Sequence, residues 1–137
     1  MIKQDRILAI DQGTTSTRSI VFDVNGEELA VSRQEFPQYY PDQGWVEHDP
    51  EDIWRDAKRT AQEAVERSGG VDRIAAIGIT NQRETIVVWE RESGKPIHNA
   101  IFWQDRRTAK LCADLKKPGK DRPLYTSDAS HDPLHVH

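Results

Sequence analysis

Residues 7–18, ILAIDQGTTSTR, run an apolar strand into a single aspartate, then into a Gly-Thr-Thr turn and the start of a second strand. A chain built this way carries a carboxylate and a row of hydroxyls at the tip of a hairpin. Gly13 has no Cβ, so the backbone can turn tightly and come close to an anion. Thr14, Thr15 and Ser16 place hydroxyls beside successive backbone N–H groups, a donor set that suits phosphate oxygens. Asp11, at the strand end, is a hard oxygen ligand fit for Mg²⁺ or one of its waters. The alternative is an ordinary turn whose threonines hydrogen-bond their own backbone. These residues alone leave both readings open.

The pattern around this hairpin predicts an α/β fold. Residues 18–24 alternate, with Ile20, Phe22 and Val24 expected on one face. Asn25-Gly26 then closes a second hairpin, because both residues tolerate positive φ. Residues 28–34 complete a three-strand antiparallel meander. Residues 36–48 hold two prolines, two tyrosines, a glycine and a tryptophan, the composition of an ordered loop. Asp49 is a good N-cap, Pro50 suits the first helical position, and Glu51 with Asp52 complement the helix dipole. The helix they start has the stripe Ile53, Ala57, Ala61, Ala64 and Val65 and ends near Gly69-Gly70. Residues 74–80 read as a central strand parallel to the first, 85–89 and 101–103 as further short strands, 91–95 as a Ser-Gly turn, and 106–116 as a helix.

With 137 residues the chain is one domain at most, large enough for a core. Its formal charge of −4, with both signs interspersed, provides no basic footprint for nucleic acid or an anionic membrane. The first residues lack the apolar stretch of a signal peptide, and no apolar run reaches membrane-spanning length. Cys112 is the only cysteine, so no intrachain disulfide can form. A cytoplasmic protein is expected.

Four stretches occur in order: DQGTTSTR from Asp11, GWVEHDP from Gly44, IGITNQRET from Ile77 and FWQDRRT from Phe102. Together they resemble the glycerol kinases of the FGGY carbohydrate-kinase family, in register from about Ile7 to about Lys116. The resemblance implies a ribonuclease-H-like (actin/Hsp70/hexokinase-type) N-terminal domain, here incomplete, that phosphorylates glycerol with ATP and Mg²⁺. It assigns Asp11 to Mg²⁺, Gly13, Thr14, Thr15 and Ser16 to the phosphates, and Arg18 to the nucleotide as an added cation. For Arg18 the alternative is a solvated strand arginine.

The resemblance assigns glycerol to Arg83 and Glu84, just past a strand end where ligands of open α/β sheets fall. A guanidinium fork beside an acceptor-only carboxylate can read two adjacent hydroxyls. Trp103 would be an apolar wall against the carbon chain. The alternative is a surface ion pair and a core tryptophan. GWVEHDP reads as loop closure and a helix cap, and Asp105, Arg106 and Arg107 as a helix start with a solvated face. The family's general base lies beyond this chain, so no catalytic residue is assigned within it. A non-catalytic nucleotide- or polyol-binding module and an inactive truncated product are the competing functions, and homo-oligomer formation by a longer form stays open.

Residues 1–117 are therefore expected to be the opening part of the family's first domain, and 118–137 a divergent, disordered tail. The tail holds Pro118, Pro123, Tyr125, Pro133 and three histidines, His131, His135 and His137, that could chelate a metal only if a fold oriented them. A shifted reading frame or a truncated gene would produce such a tail.

Overall fold

Asn25-Gly26 turns the chain as local chemistry demands. Gly26 takes φ +83°, and the Asp23 carboxylate accepts from the backbone N–H of Asn25 at 2.8 Å and of Glu27 at 2.9 Å. The Glu27 N–H, with smaller help from Asn25 and Gly26, holds the Asp23 carboxyl below its usual range. In the computed structural model, which describes residues 4–116, this turn joins β2 (Ser16–Phe22) to β3 (Glu28–Glu35), and the hairpin before it joins β1 (Arg6–Gln12) to β2.

Next in chain order come β4 (Glu47–His48), α1 (Pro50–Arg67), a 3₁₀ turn (Val71–Arg73), β5 (Ile74–Asn81), β6 (Ala100–Ile101) and α2 (Ala109–Leu115). The main sheet has the order β3-β2-β1-β5, antiparallel except for the parallel β1–β5 pair. The described residues divide after Asp105 into two units, and α2 is the described element of the second. The expected tail, with Tyr125 and its histidines, lies outside the described residues. No helix among the described residues is long and apolar enough to cross a membrane.

The α1 cap forms as its residues dictate. The Asp49 side chain accepts from the Glu51 N–H at 2.9 Å, Pro50 opens the helix, and Glu51 and Asp52 lie in its first turn. The helix packs on β2, β3 and β1. Leu8, Val21 and Ala64 form the buried cluster, with Ile10, Ala61, Val65 and Ile74 against it. At the far end, Arg73 forks onto the Asp5 carboxylate at 2.7–3.0 Å and ties the start of β5 to the start of β1.

Several expectations need correction. The β2 face turned to α1 is Thr17, Ser19 and Val21, all fully buried, whereas Ile20 is buried on the opposite face and Val24 lies exposed beyond the strand. The helix meets that face with Asp56 and Thr60 as well as alanines, and the Ser19 and Thr60 hydroxyls bond at 2.9 Å. A hydroxyl pair inside a helix–sheet contact satisfies itself, so an apolar count misses it. Residues 85–89 are not a strand: they make only isolated bridges, Ile86 to Ile101 and Trp89 to Pro96. The last short strand is Ala100–Ile101 instead of 101–103, and it pairs with the unforeseen β4.

β5 is an edge strand of the described sheet rather than a central one. Residues 75–81 are exposed, among them Ile77 and Ile79. An uncovered apolar edge recruits other strands. The chain is therefore expected to gain mass with concentration in size-exclusion chromatography with light scattering, and Ile79→Lys to reduce that gain. A monomer at all concentrations would count against it.

Candidate functional site

Because β1 and β5 run parallel, their C-terminal ends share one end of the sheet, with Asp11 beside Thr80 and Gln12 beside Asn81. Two segments leave the sheet there, the turn after Gln12 and the segment after Asn81. In the turn, the Gly13 N–H donates to the Ser16 carbonyl at 3.0 Å. A Cβ on Gly13 would come within 3.1 Å of that same oxygen, so space rather than an unusual φ calls for glycine. The Arg33 Nε–H donates to the Ser16 hydroxyl at 3.1 Å, and the Thr15 carbonyl accepts from the Phe36 N–H at 3.3 Å. The tip itself offers Thr14, half-buried, and Thr15, exposed.

Asp11 and Arg18 face each other across the hairpin, with Arg18 Nη2 3.3 Å from Asp11 Oδ2. Both side chains are nearly half exposed, so the pair contributes at most about 1 kcal/mol and either partner is free to engage a ligand. The described residues contain no cluster of three or more His, Cys, Asp or Glu able to hold a metal. One carboxylate beside hydroxyls fits Mg²⁺ that keeps waters and arrives with substrate phosphates, as this ion usually does.

On the other side, the Gln82 N–H donates to the Gln12 carbonyl at 2.8 Å and extends the β1–β5 ladder past Asn81. Arg83 and Glu84 follow, both exposed. Glu84 has φ +62°, the one non-glycine residue with positive φ among the described residues, a conformation that concentrates at functional sites. Gln82 Oε1 and Thr85 Oγ1 beside it are shielded from solvent without a hydrogen-bond partner. The Ile86–Ile101 bridge is antiparallel, so Glu84 before it and Trp103 after it lie on the same side. Trp103 is half exposed, its ring 5.6 Å from that of the buried Phe102. It is not a core tryptophan.

The GWVEHDP and FWQD stretches brace this region. The Val46 N–H donates to Asp105 Oδ2 at 2.8 Å, and Asn99 Nδ2 donates to Glu47 Oε2 at 3.1 Å. Asp105 is thus a latch on the β4 segment and not a helix start, since α2 begins only at Ala109. The expected loop closure at GWVEHDP is present, with the strand pairing of β4 and β6 added to it.

His48 is fully buried, stacked on Phe102 at 4.6 Å and edge-on to Phe36 at 5.0 Å, and neither ring nitrogen has a hydrogen-bond partner. Burial holds its pKa below the ordinary 6.5. The unfolded chain therefore binds this proton more readily, and the stability that depends on neutral His48 is complete above 6.5 and drains away as pH falls through the lowered value. Melting temperature is expected to hold above about pH 7 and decline below about 6.5, with a shallower decline in His48→Phe. Identical acid limbs would exclude His48 as the cause.

Sequence reasoning placed Asp11, Gly13 to Ser16 and Arg18 at one sheet end with Arg83 and Glu84, and the structure brings them to that end. It missed Gln12 and Gln82, which stand inside the motifs DQG and NQRET and join the two halves. A cleft of about 280 Å³ between α1 and residues 87–96, walled by Trp54 and Trp89, shares no residue with this site.

Residues 6–130 match the model of the FGGY family of carbohydrate kinases, N-terminal domain. The chain belongs to the FGGY family. This FGGY chain is 65% identical over 121 residues to the glycerol kinase of Gluconobacter oxydans (strain 621H), covering 88% of the chain and 24% of that protein. Among solved structures it resembles Plasmodium falciparum glycerol kinase with ADP, at TM-score 0.75 and 34% identity over 83% of the chain and 23% of that structure. It also resembles a gluconate kinase from Lactobacillus acidophilus, at TM-score 0.79 and 25% identity over 88% of the chain and 24% of that structure. Its α/β architecture is accordingly the ribonuclease-H-like one, and it spans about a quarter of the length of the curated relatives it matches.

Proposed function

We propose that this chain supplies the phosphate-handling and polyol-reading edge of a glycerol kinase, which transfers the γ-phosphoryl group of ATP to a glycerol hydroxyl in the cytoplasm. The observation that carries the reading is the parallel β1–β5 pair, which brings the Asp11–Arg18 hairpin and the Arg83–Glu84 segment to one sheet end. The names of the relatives supply the substrates.

Phosphoryl transfer asks the protein mainly for positioning and charge stabilisation. Thr14 and Thr15 donate to phosphate oxygens, and Arg18 adds positive charge nearby. Asp11 would hold Mg²⁺, which would supply charge neutralisation to the phosphates. Arg83 donates to the glycerol oxygens while Glu84 accepts from their protons, and Trp103 covers the carbon chain.

The test grafts residues 4–116 onto the rest of the Gluconobacter oxydans glycerol kinase in place of the matching segment. ATP-dependent formation of glycerol 3-phosphate is the expected result, and a folded chimera without it would end the proposal. The chain by itself is expected to form no measurable product. General base catalysis contributes about 10²–10⁴-fold, and no carboxylate in the described residues carries that role. Glycerol 3-phosphate made by the purified chain would contradict this.

A further inference from the structure

We propose that Thr17 and Gln12 are positioning residues, a joint that fixes the phosphate turn and the polyol-reading segment against each other; the functional part of this inference rests on the reading above. Gln12 is the last residue of β1, and both halves of the site hang from it. Its carbonyl accepts the Gln82 N–H at 2.8 Å, one residue before Arg83. Its side-chain oxygen accepts the Thr17 hydroxyl at 2.6 Å from the opposite strand. The amide end of the same side chain lies 3.4 Å from the Gly13 carbonyl.

Thr17 is completely buried, on the β2 face packed under α1, so the helix and the sheet hold its hydroxyl in place. A fixed donor orients the Gln12 carboxamide, and the carboxamide in turn limits the freedom of the Gly13–Thr14 peptide, whose carbonyl it meets. The carbonyl that receives Gln82 belongs to the Gln12–Gly13 peptide immediately before it. One buried hydroxyl therefore sets the register of the turn and, through a single carbonyl, the point from which Arg83 and Glu84 depart. Gln12 is therefore a place where movement in one half must be felt in the other.

Hydrogen exchange on the 137-residue chain without ligand reads this coupling directly. Thr17→Val keeps the branched shape and removes the donor. The Gly13 and Gln82 amides are then expected to exchange about three- to tenfold faster, the range for loss of one neutral hydrogen bond. The Val21 amide in mid-β2 is expected to stay within about twofold, and Thr17→Ser to restore the original rates. Gln12→Met removes the acceptor instead and should give the same pattern if Thr17→Val fails to fold. Unchanged exchange at Gln82 would overturn the joint, as would equal acceleration at Val21, which signals general loosening. In the chimera, Thr17→Val is expected to lower kcat about three- to tenfold, with Thr17→Ser near wild type; an unchanged kcat would overturn the functional part. A chimera inactive before any substitution would sink the kinase reading and leave the exchange result standing.

Discussion

Asp11→Asn in the active chimera is expected to depress kcat on the order of 100-fold or more, with little change in the KM for glycerol. The substitution keeps the size and one acceptor of the side chain and removes its charge, so its effect falls on the metal water and on charge developing at the phosphates. Asp11 stands at the end of β1, across the hairpin from Arg18 and on the adjacent strand from Thr80. That position is fixed by the sheet, and loss of the Arg18 contact is a minor term because the pair is half exposed. Steady-state kinetics with varied ATP and Mg²⁺ would check it. A kcat near wild type would show that Asp11 is only a strand-end residue and that the role drawn from the family is wrong for this chain.

Arg83→Ala is expected to act on the other substrate. Losing a charged donor to a hydroxyl costs about 1.5–3 kcal/mol, so the KM for glycerol should rise roughly ten- to a hundredfold while that for ATP moves much less. Arg83 follows Gln82, which is tied to Gln12, and precedes the left-handed Glu84, so the backbone around it is held from both sides. Truncating an exposed side chain there should leave folding intact. An unchanged glycerol KM would place the polyol elsewhere on the chain.

What the sequence disclosed was local. The Asn25-Gly26 turn and the Asp49-Pro50 cap formed as their residues require, because each is decided within four or five positions. The polar α1 interface was hidden, since Ser19 and Thr60 look like surface residues until their hydroxyls find one another, and Thr17 until its hydroxyl meets the Gln12 carboxamide. β4 was hidden for a different reason. A two-residue strand has no period to read, and its partner Ala100–Ile101 lies far along the chain. Residues 85–89 alternate like a strand, yet without a continuous neighbour they make only single bridges. For the candidate site, residue types pointed to one sheet end, but the bond joining its halves runs through a backbone carbonyl, which no side-chain pattern reveals.

The parallel β1–β5 pairing also has a consequence in time. The meander β1-β2-β3 closes through short turns, whereas β5 reaches β1 only after α1 has crossed back over the sheet. Loop closure over long separations is slow compared with hairpin formation. The threonine tip should therefore exist during folding before Arg83 and Glu84 arrive beside it, so that nascent chains form the hairpin proposed to meet phosphate ahead of the segment proposed to meet the polyol. Substitutions in the β1–β2 hairpin should then slow refolding, while those in β5 should chiefly hasten unfolding.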